Sequence, residues 1–199
     1  MLALEMFMPH PARVLARSDL QLILRKVATH RHPDRDRVIV LLSFKAGLRA
    51  CEIAGLQWSM VLRPNGTVSD QVFIASTIAK YGRARRIPLH SELAAALDTL
   101  RLATGRPRDG PIVRSERGCH MNPHSVVNWF ARLYATLHLD GCSSHSGRRT
   151  FITSSARVLA KTGGSLRDIQ ELAGHRQLVT TERYIEGSRE AQRRLIRLL

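Results

Sequence analysis

The stretch that decides the fold is HSGRRTFITSSARVLAKTGGSLRDIQELAGHRQLVTTERY, residues 145–184. It predicts one helix from about residue 145 to about residue 161. A second, short helix over 165–173 is ended by Gly174, a residue that commonly follows a helix terminus. Residues 180–185 are predicted to be helical as well. The second half of the chain is therefore predicted to be a series of helices joined by short loops.

In the first half, the pattern of apolar residues predicts further helices and then changes to one typical of short strands. Ser18 can cap a helix over 18–28, Asp34 can start a helix that Gly47 ends, and a short helix follows over 49–55. Three short strands are predicted over 58–62, 71–77 and 85–89, and helices over 91–102, 122–139 and, in the tail, 188–199. The predicted fold class is mainly α with a small three-stranded antiparallel sheet (α+β).

Charge is the first indication of function. The chain has 199 residues, 44% of them hydrophobic, and a formal net charge of +15. Of its 31 basic residues only four are lysines, and arginine suits bidentate phosphate contact. This balance favours nucleic acid as a partner. A GC-rich genome, which replaces lysine with arginine for coding reasons, is the alternative explanation.

Several functional classes are excluded or disfavoured. No run of eighteen apolar residues is present, so no helix spanning a membrane is expected. Three cysteines without CxxC spacing favour neither a disulfide framework nor a zinc ribbon and fit a reducing cytoplasm. The pairs His30 with His32 and His120 with His124 lack a completing carboxylate or cysteine, so they are interpreted as solvent-facing. Neither a metal nor a cofactor is therefore expected.

One set of residues can carry chemistry: Arg49, Glu52, Lys80, His145, Arg148, His175 and Tyr184. A phosphodiester under attack develops negative charge on its non-bridging oxygens, and two arginines can bind those oxygens bidentately. A phenol is a weak nucleophile at neutral pH, so it needs that electrostatic help and a proton acceptor. The leaving oxygen needs a proton from a lysine or histidine. The set therefore indicates metal-independent phosphoryl transfer through a covalent tyrosine.

The order of the motifs resembles the tyrosine recombinase (phage integrase) family. The motifs are Gly-Leu-Arg-x-x-Glu at 47–52, a lysine in the basic hairpin 80–86, His-x-x-Arg at 145–148, Gly-His at 174–175 and Thr-Thr-x-x-Tyr at 180–184. The segment 166–175 is also similar to the family's segment before its second histidine. The resemblance covers roughly residues 37–186. Any one motif is weak, whereas five in this order and spacing are specific.

The resemblance implies a nucleophile and a phosphate clamp. Tyr184 would form a 3′-phosphotyrosyl bond. Arg49 and Arg148 would hold the scissile phosphate, and Glu52 would orient the active-site arginine. Removing one such donor typically raises the barrier by about 3 to 4 kcal/mol. The remaining tyrosines, Tyr81 and Tyr134, are interpreted as structural.

The resemblance also implies the proton transfers. Lys80 would protonate the leaving 5′-hydroxyl, although the neighbouring Arg83 could take its place. His145 would act in proton transfer near the phosphate, and His175 would donate a hydrogen bond to it. These roles describe a site-specific DNA recombinase, or integrase, that cleaves and rejoins double-stranded DNA. The expected assembly is a homotetramer on synapsed DNA in a prokaryotic or mobile-element context, cytoplasmic and nucleoid-associated, with no membrane partner.

Two features depart from the family's pattern, and two other functions stay open. Gly147 precedes Arg148, and a glycine inside a helix costs about 1 kcal/mol relative to alanine, so a looser helix start is expected. The second departure is length, because most family members carry an N-terminal helical domain. Here residues 1–17 are expected to be a lead-in and 18–199 a single catalytic domain, with no separate N-terminal core-binding domain. The alternatives are a non-catalytic basic DNA-binding protein and a type IB topoisomerase-like enzyme.

Overall fold

The computed structural model describes residues 12–182 together with Arg193, Ile196 and Arg197. Tyr184 and, apart from those three residues, the predicted tail helix over 188–199 lie outside the described residues. The helices in the described part are α1 (Arg17–Val27), α2 (Pro33–Lys45), α3 (Ala50–Gly55), α4 (Ser91–Ala103), α5 (Pro123–Thr136), α6 (Ser146–Thr162), α7 (Leu166–Ala173) and α8 (Leu178–Glu182). The strands are β1 (Gln71–Ile74) and β2 (Arg85–Pro88). The predicted mainly helical fold is thus confirmed.

Helix α2 forms the centre of the core. Pro33 occupies its first turn, where the missing N–H costs nothing, and Asp34 and Asp36 follow in the same turn. Residues 38–42 are all apolar and fully buried, so the middle of this helix is enclosed by the core on every side. It packs against α1, α3, α4 and α6. The end of α2 is therefore fixed in position by its neighbours.

The predicted third strand is wrong. Trp58–Met60 forms one turn of 3₁₀ helix, and beyond it Leu62 makes only an isolated bridge to Val68. The buried Trp58 donates its backbone N–H to the carbonyl oxygen of Gly110 at 3.0 Å. Because this segment pairs with the long loop before α5, it cannot extend the hairpin. The sheet in the described residues therefore has two strands rather than three.

The two strands form an antiparallel hairpin whose register runs from Gln71 opposite Pro88 to Ile74 opposite Arg85. Val72, Ile74 and Ile87 are buried, so one face of the hairpin packs on the core. The connecting segment carries the one-turn 3₁₀ helix Lys80–Gly82. The hairpin therefore presents Lys80 near the point where β2 begins with Arg85.

Part of the expected lead-in packs against the domain. Leu15 is buried, and its backbone N–H donates to the Thr150 hydroxyl on α6 at 2.9 Å. The backbone N–H of Arg13 donates to the carbonyl oxygen of Gly141 at 3.0 Å. Residues 13–15 are thus attached to the fold before α1 begins. Within the described part of the chain, no helix combines the length and apolar character needed to cross a membrane.

Candidate active site

Two glycines bring the end of α2 and the start of α6 into close contact. A Cβ atom added at Gly147 would overlap the Ser43 hydroxyl. A Cβ atom at Gly47 would overlap the Phe151 ring, and the φ of +63° at Gly47 also favours glycine. Gly147 lies in the first turn of α6, so its presence has a packing reason that outweighs its low helix propensity. The segments that follow the two glycines are therefore held side by side.

The two predicted phosphate-binding arginines reach the same turn of backbone. Arg148 is 3% exposed and donates to the carbonyl oxygens of Gly47 and Ala173, both at 2.6 Å. Arg49 donates to the carbonyl oxygen of the next residue, Gly174, at 3.4 Å. The two guanidinium groups therefore converge on the C-terminal end of α7. Paired guanidinium groups are the donors that bidentate phosphate binding needs.

Glu52 is a fully buried carboxylate between two arginines. It accepts from the Arg49 backbone N–H at 2.9 Å and from Arg49 Nη1 at 3.2 Å. Arg85 donates to both Glu52 oxygens, at 2.8 and 2.9 Å. Burial raises the pKa of Glu52, but the hydrogen bonds and positive charges of Arg85 and Arg49 offset this, and the pKa lies below its usual value. Glu52 is therefore ionised at neutral pH and fixes Arg49.

Arg85 is a site residue that the sequence does not predict. Besides binding Glu52, its Nε donates to the carbonyl oxygen of Leu172 at 3.0 Å. Its side chain is 9% exposed. A buried glutamate needs cations to balance its charge, so an arginine besides Arg49 is a reasonable partner. The hairpin holds three arginines, Arg83, Arg85 and Arg86, and the sequence alone does not show which of them is that partner. In the folded chain, the arginine that reaches Glu52 is Arg85, the first residue of β2.

His175 follows the αL residue Gly174 that ends α7. It is buried, and its Nδ1 lies 2.9 Å from the Thr181 hydroxyl on α8. Its backbone is held by Gln170, which accepts from the His175 N–H and donates its side-chain amide to the His175 carbonyl. Burial, and then the charges of nearby arginines, lower the pKa of His175 to about 4. The imidazole is therefore neutral at pH 7.

His145 and Lys80 lie at the same face. Although His145 is exposed, the surrounding protein removes part of its hydration and lowers its pKa, and the charges of Arg148, Arg49 and Lys80 lower it further. Lys80 is exposed in the hairpin turn, with its Nζ 5.2 Å from the centre of the Tyr81 ring. The structure thus brings both residues into the electrostatic field of the arginine pair. His145 is neutral at pH 7.

The tyrosines differ in their placement. Tyr134 is buried in the core, and burial raises the pKa of its phenol, which confirms its interpretation as structural. Tyr81 is instead 67% exposed and has a φ of +68°, so it is not a packed core residue. Tyr184 lies outside the described residues, which reach Glu182 in α8 before it. Its role stays a prediction.

The histidine pairs interpreted as solvent-facing behave differently. His30 is partly exposed and its Nδ1 lies 2.8 Å from the buried carboxylate of Asp36, whereas His32 Nε2 lies 2.9 Å from Glu116 at the surface. Both side chains of this pair therefore keep part of their area in contact with solvent. His120 and His124 are exposed, as predicted. Across residues 12–182, no group of three or more histidine, cysteine, aspartate or glutamate side chains is arranged to hold a metal ion.

A basic cleft of about 340 Å³ opens beside His175. Its lining residues come from the start of β2 and from α7 and include Arg83, Arg86, Arg167 and Gln170. Such a concentration of guanidinium groups next to the arginine pair favours a polyanion. The site is thus an electropositive surface that includes a neutral histidine.

The fold is that of a tyrosine recombinase catalytic domain. The chain belongs to the phage integrase family, which matches residues 13–190. It is 31% identical over 185 residues to the tyrosine recombinase XerC of Rhodospirillum centenum, covering 89% of this chain and 51% of that protein. It is 32% identical over 154 residues to XerC of Rhizobium meliloti, covering 75% and 45%. The chain spans about half the length of the curated relatives it matches.

Solved structures show the same fold. The Tn1549 transposon integrase in complex with a circular intermediate DNA is similar with a TM-score of 0.73 and 18% identity, covering 95% of this chain and 66% of that one. XerA recombinase gives a TM-score of 0.71 at 21% identity, covering 94% and 65%. A lambda integrase dimer bound to a COC′ core site gives 0.64 at 19%, covering 88% and 60%.

Proposed function

We propose that this protein is a tyrosine-type site-specific DNA recombinase that cleaves and rejoins DNA strands without a metal ion. The observation that carries this function is the convergence of Arg49 and Arg148 on the adjacent carbonyls of Gly174 and Ala173, next to His175. Three side chains that can donate hydrogen bonds, those of Arg49, Arg148 and His175, are thereby brought together at the end of α7. That arrangement suits a phosphodiester whose charge increases in the transition state.

The covalent step replaces one phosphorus–oxygen bond with another. The Tyr184 oxygen bonds to phosphorus while the bond from phosphorus to the 5′-oxygen breaks, leaving a 3′-phosphotyrosyl linkage and a free 5′-hydroxyl. The phenol proton passes to neutral His145, and Lys80 gives a proton to the leaving oxygen. Rejoining reverses these steps with the 5′-hydroxyl of a partner strand. The bond energy is kept throughout, so no external energy source is needed.

Neutral His175 acts as a hydrogen-bond donor. Its lowered pKa keeps the imidazole uncharged at pH 7. When the Thr181 hydroxyl donates to Nδ1, the ring proton resides on Nε2. Nε2–H is then the group that donates to a non-bridging phosphate oxygen. With this direction of the hydrogen bond, Thr181 selects the tautomer that binds phosphate.

The expected substrate is double-stranded DNA bound by more than one copy of the chain. The Tn1549 transposon integrase and lambda integrase structures contain DNA, and the latter is a dimer. A charge of +15 and the basic cleft beside His175 support the same partner for this chain. Exchange between two duplexes requires two cleavages on each, so we expect a homotetramer on synapsed DNA.

Covalent trapping tests the function. The protein is incubated, with a chelator present, on nicked duplexes taken from the DNA flanking its own gene, which lose the cleaved fragment and strand the intermediate. We expect a denaturation-resistant adduct that is absent for Tyr184→Phe and for Arg148→Gln. Salt-sensitive DNA binding without an adduct would support the non-catalytic DNA-binding protein instead. Relaxation of supercoiled plasmid DNA that lacks the site would support the topoisomerase-like enzyme.

A further inference from the structure

Three successive carbonyl groups end α7, and a different arginine binds each one. Arg85 donates to the carbonyl of Leu172, Arg148 to that of Ala173, and Arg49 to that of Gly174. Carbonyl groups at the end of a helix have no intrahelical partner and carry the negative end of the helix dipole. Two of these arginines belong to the proposed phosphate clamp. The third, Arg85, belongs to the hairpin that carries Lys80.

Arg85 occupies a space that is built for it. Gly174 has a φ of +63°, and a Cβ atom there would lie 3.0 to 3.2 Å from the Arg85 side chain. Glycine at this position therefore serves both the helix end and the close approach of the guanidinium. Arg85 is also paired with Ile74 across the hairpin. Its side chain is thus fixed by backbone and side-chain contacts on each side.

The charges explain why two arginines surround Glu52. With Arg85 present, the group of Glu52, Arg49 and Arg85 carries a net charge of +1. Arg85 meets both carboxylate oxygens, whereas only one Arg49 side-chain nitrogen meets Glu52. Without Arg85, the buried carboxylate would be balanced by Arg49 alone. A guanidinium fully neutralised by its own protein attracts a phosphate weakly.

We propose that Arg85 is a positioning residue that neutralises Glu52, so that the charge of Arg49 is available to an incoming phosphate, and that holds the end of α7, so that His175 faces the same phosphate. The effect of Arg85 on DNA cleavage rests on the proposed recombinase function. Its effect on the affinity for a simple anion such as phosphate does not depend on catalysis.

The test compares Arg85→Met, Glu52→Gln and the double variant in two assays. The first is formation of the covalent DNA adduct. The second is titration with inorganic phosphate, followed by the amide NMR signals of Gly174 and His175. We expect Arg85→Met to weaken both at least about tenfold, because Glu52 would then be balanced by Arg49 alone and would neutralise the charge that binds phosphate. The double variant removes the charge of Glu52 and should recover a large part of both losses.

A matched control is Arg63→Met. Arg63 also binds a carbonyl oxygen, that of Val68, and lies 3.7 Å from a carboxylate, Asp70, but at the surface. We expect its loss to leave phosphate binding unchanged. If Arg85→Met binds phosphate as the wild type does, or if the double variant is no better than Arg85→Met, the proposed role is wrong. A third outcome separates the two proposals. If the double variant recovers phosphate binding but the wild type forms no adduct on any DNA, the recombinase function is wrong and the role of Arg85 stands.

Discussion

Arg148 donates from Nη1 to the carbonyl oxygen of Gly47 at 2.6 Å, which ties the start of α6 to the turn that leads to Arg49. The two predicted phosphate-binding arginines are 99 positions apart in the sequence, yet this hydrogen bond fixes their relative position. A preformed pair of donors avoids reorganisation when charge develops on the phosphate. We therefore expect the packing of α2 against α6 to affect catalysis.

Gly147→Ala should destabilise the protein. The new Cβ would overlap Ser43 on α2, and overpacking typically costs about 1–3 kcal/mol, whereas alanine gains only about 1 kcal/mol in helix propensity. We expect a net loss of about 1 kcal/mol in the free energy of unfolding, measured by chemical denaturation, and a weaker DNA adduct. Ser154→Ala, at an exposed position of the same helix, is the control and should change stability by less than about 0.5 kcal/mol. A stabilised Gly147→Ala would contradict the close helix contact.

Ser43→Ala should stabilise the protein. The Ser43 hydroxyl is fully buried and has no hydrogen-bond partner among the described residues. Removing an unsatisfied buried hydroxyl is worth about 1 kcal/mol. The same change removes one of the two overlaps of a Cβ at Gly147, the other being with the Phe44 ring, so the double variant should be less destabilised than Gly147→Ala alone. Additive effects of the two changes in a denaturation experiment would show that the residues do not touch.

The lowered pKa of His175 predicts a specific loss of stability in acid. The folded protein holds the imidazole neutral down to about pH 4, whereas the unfolded chain takes up a proton near pH 6.5. The contribution of the neutral histidine is therefore complete above pH 6.5 and declines as the pH falls towards 4. The difference between these pKa values corresponds to about 3 kcal/mol. Between pH 7 and pH 4, the free energy of unfolding of the wild type relative to that of His175→Gln should fall by about that amount, and parallel curves would contradict it.

Thr181→Val should reduce cleavage without unfolding the protein. Valine keeps the shape of threonine but cannot bond to His175 Nδ1, so the ring loses the partner that selects its tautomer. One hydrogen bond of about 1 kcal/mol predicts a decrease of up to about tenfold in the single-turnover rate of adduct formation. Thr180→Val, at the neighbouring half-buried position, is the matched control. Equal effects of the two variants would show that the tautomer is not set by Thr181.

Local signals predict most of the fold. Asn122 and Pro123 predict the start of α5, and the Asn122 side chain accepts from the Ser125 N–H at 2.7 Å as an N-cap should. Gly174 predicts the end of α7, where it adopts αL geometry. The strand predicted at 58–62 is wrong because Gly110, about fifty residues away, binds the backbone of Trp58. Such competition between segments leaves no local trace in the sequence.

The candidate site shows the same contrast between residues that local sequence signals predict and residues that depend on contacts between distant segments. The motifs indicate Arg49, Arg148 and His175, and the structure brings these three together. Arg85 and Thr181 lie within the basic hairpin 80–86 and the Thr-Thr-x-x-Tyr motif, but the motifs give them no role, because their importance comes from contacts with Glu52 and His175 that only the folded chain creates. Residues that the motifs assign to substrate binding are therefore predicted from sequence more readily than the residues that contact and position them.

The identity of the nucleophile decides whether the proposed mechanism is correct. The chain has three tyrosines: Tyr134 is buried, Tyr81 is exposed beside Lys80, and Tyr184 follows α8. Protease digestion of the trapped adduct followed by mass spectrometry identifies the tyrosine that carries the nucleotide. We predict the phosphonucleotide on Tyr184, through a 3′ linkage, and no adduct for Tyr184→Phe. Modification of Tyr81, or an adduct that persists in Tyr184→Phe, would contradict the proposed mechanism.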